Sequence, residues 1–183
     1  MAHSRSTSEA IRAMAMKGKW AQGITPRHFA WVLKDKLAVS ERPGGYGSNH
    51  RKVRRSEEII WIREQGFTCV VSLIPSPHNL HNYDELGVAW RHLPLGGLED
   101  PAQVLPVLYE ELRSMIAAGG KVLVHQDELS DRVTGAVAGY LLWSGLIATG
   151  PEAVAAAERL LGRQLGPVAR EMVGVAERIR GPR

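Results

Sequence analysis

Cysteine is nearly absent from this chain. Cys69 is the single one in 183 residues, so no internal disulfide framework holds the fold, and a reducing, cytoplasmic setting is the expectation. Long apolar runs are missing as well. None approaches the roughly 18 residues that a bilayer span requires, so no membrane-spanning segment and no membrane partner is expected. The opening stretch MAHSRSTSEAIRAMAMKGKW lacks the continuous apolar core of a secretory signal. It is Arg- and Ser-rich and poor in acids, and it reads as a loose basic arm over residues 1–25 rather than as a transit peptide.

What is present describes a globular protein. Hydrophobic residues make up 44% and charged residues 23%, enough for one packed domain over residues 26–180. The net charge of +4 and pI near 9.5 permit acidic partners without requiring them. The basic residues cluster in RPGGYGSNHRKVRR, where Arg42, Arg51, Lys52, Arg54 and Arg55 lie close together with His50. This segment reads as a solvated loop entering a helix. The alternative is an anion patch for phosphate or nucleic acid, although no base-reading motif or aromatic stacking platform accompanies it.

Hydrophobic periodicity supplies the elements. FAWVLKDKLAVS (29–40) predicts an edge hairpin turning at Lys34, Asp35 and Lys36. Ser56 and Glu58 are expected to open a helix that stops at Gly66. TCVVSLI reads as a buried strand with Cys69 as core packing, and VAWRHLPL as another. Between them lies a polar loop with a helical turn, where the spacing of His78 and His81 brings no third ligand for a metal. Pro101 starts a helix ending at Gly119 and Gly120; KVLVH is a strand; helices follow at 132–143, 151–162 and 166–179. Strands alternate with helices and helices dominate the end, the order of an α/β sandwich with a central sheet flanked by helices.

The stretch KVLVHQDELSDRVTGAVAGYLL joins a buried strand to an Ala/Gly-rich helix through a charged loop. A helix starting there points unpaired N–H groups at the loop, which favours anions. Yet Asp127, Glu128 and Asp131 stand against a single Arg132. Carboxylates at about 5 Å from a phosphate repel it by roughly 3 kcal/mol each at an effective dielectric of about 20, so weak phosphate affinity is expected, with Asp131 or Glu128 available as an internal partner for Arg132.

The chain resembles the cysteine-based dual-specificity phosphatases, especially their small atypical members, over about residues 26 to 172. RHFAWVLKDKLA, GFTCVVSL, VLVH, AGYLLWSGL and AERLLGRQLGP carry the likeness. In that family the loop reads His-Cys-x-x-Gly-x-x-Arg-Ser/Thr, with a thiolate nucleophile and a phosphate-clamping arginine. A gapless match puts His125 on the His, Gln126 on the Cys, Leu129 on the Gly, Arg132 on the Arg and Val133 on the Ser/Thr. The family's general acid falls on Gly97, while Glu99 and Asp100 follow as substitutes or as acids at the start of the Pro101 helix.

A carboxamide cannot form a phospho-enzyme, and a leucine holding the glycine's positive φ would cost about 1–2 kcal/mol. The resemblance with these departures implies a pseudophosphatase that binds a small ligand or protein partner through His125, Gln126, Asp127, Glu128, Leu129, Ser130, Asp131 and Arg132, with no metal and no cofactor. The enzymatic alternative is hydrolysis without cysteine, by His125, Asp127, Glu128, Asp131, Arg132, Glu99 and Asp100, through a carboxylate-activated water or a metal.

Overall fold

A computed structural model describes residues 22–46 and 51–180. The hairpin forms as its alternating pattern predicts: β1 (Ala30–Leu33) and β2 (Leu37–Glu41) pair antiparallel, with Asp35 at φ 59° in the turn and Lys36 N donating to Leu33 O at 3.0 Å. Next come α1 (Lys52–Glu64), β3 (Cys69–Ser72), the short α2 (His81–Glu85) and β4 (Trp90–His92). The long α3 (Pro101–Ala117), β5 (Val122–Gln126), α4 (Asp131–Trp143), α5 (Gly150–Leu161) and α6 (Pro167–Arg180) complete the chain. Residues 22–25 apart, the basic arm lies outside the described residues.

The sheet order is β1-β2-β5-β3-β4. All pairings other than the hairpin are parallel, and β5 lies at the centre between β2 and β3. Strand alternation divides the core. Val122 and Val124 of β5 pack with Leu105, Leu108, Leu112, Val133, Val137 and Met172 on one face. Leu123 faces Ile59, Ile62, Tyr83 and Val88 of the α1–α2 side. Among the described residues no helix is long and apolar enough to cross a membrane.

One boundary differs from expectation. Helix α1 starts at Lys52, not Ser56, with Arg51 as an extended N-cap residue that makes no side-chain cap hydrogen bond. The first turn is held from within instead: Arg54 Nε and Nη2 donate to Glu58 Oε1 at 2.7 and 2.6 Å, and the fully buried Glu58 accepts from Gly44 N at 2.6 Å. Such long-range anchoring leaves no capping signature near Lys52.

The apolar face of α4 fixes where the loop after β5 points. It packs closely on α6, and a Cβ at Gly135 would lie 2.6 Å from Ala169 Cα, one at Gly139 2.8 Å from Ala176 Cβ. Only the missing side chains allow that approach. Cys69 is buried, as expected of core packing, and burial raises its thiol pKa.

Candidate functional site

Strand β5 delivers Gln126 to the base of a cavity of about 360 Å³, and α4 begins at its wall. Gln126 is 6% exposed. Its Nε2 donates to Leu95 O at 2.7 Å, while its Oε1 accepts a short hydrogen bond from Ser130 Oγ. Both ends of the amide are therefore occupied by the protein itself. The Ser130 hydroxyl, turned inward, makes no cap to the N-terminus of α4.

The three loop acids go different ways. Asp127 Oδ1 accepts from Arg42 Nη1 at 2.9 Å, in a pair 26% and 14% exposed. Asp131 Oδ1 accepts from Gly166 N at 3.1 Å, tying the start of α4 to the α5–α6 connection. The same connection reaches Leu129, whose carbonyl accepts from Arg163 Nη1. Glu128 is exposed, and its carboxylate has no hydrogen-bond or ion-pair partner among the described residues. All three line the cavity, with Tyr46, Pro75 and Val168 supplying apolar surface.

Leu129 is absent from the non-glycine residues with positive φ, and its side chain is 7% exposed within the main core. The loop follows a path that a leucine accepts, so the strain expected for a retained glycine conformation is not incurred. Arg132 likewise departs from expectation: it pairs with neither Asp131 nor Glu128, and among the described residues it has no ion-pair partner. The acids nearest in sequence are drawn to Arg42 and Gly166, or left in solvent. The guanidinium lies beside Gly97, where a Cβ would fall 3.2 Å from Nη2, and Gly97 itself has φ 147°.

Glu99 and Asp100 serve the backbone. Glu99 Oε2 accepts from Gly96 N at 2.6 Å and Gly97 N at 3.2 Å, and these bonds, the Gly96 one foremost, hold its carboxyl below the usual range. Asp100 caps α3 by accepting from Ala102 N at 2.9 Å. Both are arranged as acceptors, the opposite of a proton donor.

His125 is 1% exposed, with Nε2 3.1 Å from the Tyr83 hydroxyl. Burial, with a smaller electrostatic push from Arg42 and the neighbouring His92, lowers its pKa to about 3, so the ring is neutral at physiological pH. The basic segment also divides. Arg42 bonds Asp127 and His78 O, Arg54 bonds Glu58, Arg55 is buried, and Arg51 and Lys52 are exposed. His78 and His81 join no group of metal-ligating side chains among the described residues. The Arg42–Asp127 and Tyr83–His125 pairs had no sequence signal, since each joins residues far apart in the chain.

A mostly parallel sheet with its central strand feeding a loop and a helix N-terminus decides the comparison with solved structures. The fold is that of the dual-specificity and protein tyrosine phosphatases. Tk-PTP in its active form is 19% identical, with TM-score 0.66 over 82% of this chain and 97% of its own. Kinase associated phosphatase, with its catalytic-site cysteine substituted by serine, is 17% identical with TM-score 0.71, over 87% and 99%. The human tyrosine phosphatase-like serine/threonine/tyrosine-interacting protein is 16% identical with TM-score 0.63, over 82% and 96%. No family model and no curated protein matches the sequence. At these identities the phosphatase likeness is one of fold alone.

Proposed function

We propose that this protein is a catalytically inactive phosphatase-like protein, a pseudophosphatase, that holds a ligand or docks a partner at the loop after β5. The observation that carries the reading is Gln126. It stands at the end of the central strand, the position to which the sequence resemblance assigns the phosphatase thiolate, and its amide is locked between Leu95 O and Ser130 Oγ. A neutral amide with both ends bonded is neither a nucleophile nor a base.

The surroundings agree. Glu99 is held as a carboxylate by backbone N–H groups, so it supplies no proton to a leaving group. Leu129 turns into the core and has no positive φ, at the position that the resemblance gives to glycine. Hydrolysis by a carboxylate-activated water is left with Glu128, because Asp127 and Asp131 already serve Arg42 and Gly166. Precedent within the fold exists in name, one neighbour being called phosphatase-like and interacting.

The test is turnover of a small aryl phosphate by the unaltered protein, with reductant present and absent. The expected rate equals the protein-free blank. Turnover that Arg132→Ala abolishes would overturn the reading.

A further inference from the structure

The cavity beside Gln126 holds two charges of opposite sign that the protein leaves unused. Arg132 lacks an ion-pair partner among the described residues, and so does Glu128. The neighbouring loop side chains are engaged: Gln126 with Leu95 O and Ser130, Asp127 with Arg42, Asp131 with Gly166 N. Such an arrangement differs from an anion cradle. One guanidinium and a helix N-terminus offset about a single negative charge; with Asp127 offset by Arg42, the Glu128 and Asp131 carboxylates still line the same wall, so a dianion such as phosphate gains little there.

A lone cation fares no better. It would meet Glu128 with Arg132 in the same cavity. A ligand carrying both signs satisfies both groups, its anion taking the planar fork of the guanidinium and its cation taking the carboxylate. A volume of about 360 Å³ fits a molecule the size of an amino acid or a dipeptide, and Tyr46, Pro75 and Val168 offer apolar surface for the carbon chain between its ends.

From this juxtaposition we infer that the pocket binds a small dipolar ligand, an amino carboxylate whose carboxylate pairs with Arg132 and whose ammonium pairs with Glu128. The inference deepens the binding role proposed above and rests on it. A carboxylate is preferred to a phosphate because it brings one negative charge toward the loop acids instead of two. The separation of the two ends selects among chain lengths.

Calorimetric titration of the unaltered protein at low salt tests this with γ-aminobutyrate, δ-aminovalerate and ε-aminocaproate as probes, against valerate, pentylamine and inorganic phosphate. At least one amino carboxylate is expected to bind about tenfold or more tighter than either single-charge analogue, a difference of about 1.4 kcal/mol. Arg132→Gln and Glu128→Gln should each remove that advantage while leaving the thermal melt intact. If valerate, pentylamine or phosphate binds as tightly as the best amino carboxylate, or if none of the series binds, the inference is overturned. The probe series on the unaltered protein decides even where a variant fails to fold. Failure here with no aryl phosphate turnover leaves the pseudophosphatase reading standing; turnover would remove that reading separately.

Discussion

Strand β5 with helix α4, and the loop between them, are built on opposite terms. In the strand and the helix, Val122, Leu123, Val124, Val133, Val137 and Leu142 are at most 1% exposed and apolar, and their fit depends on shape. In the loop, Gln126, Asp127 and Asp131 are tied by hydrogen bonds to distant parts of the chain and Ser130 is tied to Gln126, and their fit depends on pairing. The difference teaches that the frame is held by shape while the loop is held by a few directional bonds. Burial of apolar area supplies most of the stability, and a few hydrogen bonds decide the chemistry.

That contrast breaks most severely in the frame. Gly139→Val would place branched carbons against the Tyr109 hydroxyl and Ala176, where overpacking costs about 3 kcal/mol. Denaturant unfolding should show the unfolding free energy fall by that amount and the midpoint fall with it, and an unchanged midpoint would mean that α4 and α6 are free to separate.

His125 sits where frame and loop meet, and acid tests it. Its pKa falls from the ordinary 6.5 to about 3 on folding, so the unfolded chain binds the extra proton between those values. Stability is therefore full above about pH 6.5 and lost as pH falls, by about 2 kcal/mol at pH 5 relative to pH 8. His125→Asn should lack this component. Equal pH slopes for the two proteins, read from unfolding at each pH, would show that the imidazole is solvated.

The frame was legible in the sequence because apolar periodicity is local. Each strand and helix lies within a few residues of where that periodicity places it, and the start of α1 escapes it because Glu58 is anchored to Gly44 N through a tertiary contact. The acidic, Gln-bearing loop could be located, and Asp100 could be read as an acid at a helix start. What could not be read is direction: whether Asp127 faces the cavity or Arg42 depends on a partner 85 positions away in sequence. Pairing of Arg132 with Asp131 or Glu128 looks available from proximity alone, but the backbone amide of Gly166 takes Asp131 and the Glu128 side chain stays exposed.

A smaller effect sharpens the loop side of the comparison. Asp127→Ala removes a partly exposed ion pair, worth about 1 kcal/mol or less, and leaves Arg42 with the His78 carbonyl. The expected loss in a thermal melt is correspondingly slight and should shrink further as salt is raised. A loss as large as that of Gly139→Val would place Asp127 among the frame residues.

The central claim is that the loop has been rebuilt as a unit, so that returning a thiol does not return an enzyme. The aryl phosphatase rate of Gln126→Cys measures this directly. The introduced thiol would stand in a loop whose Leu129 is committed to the core and whose neighbours are acidic, with Gly97 where the resemblance places a proton donor, a loss alone of roughly 10²–10⁴ in rate. The account predicts a rate close to the protein-free blank. An ordinary phosphatase rate from this single substitution would contradict it.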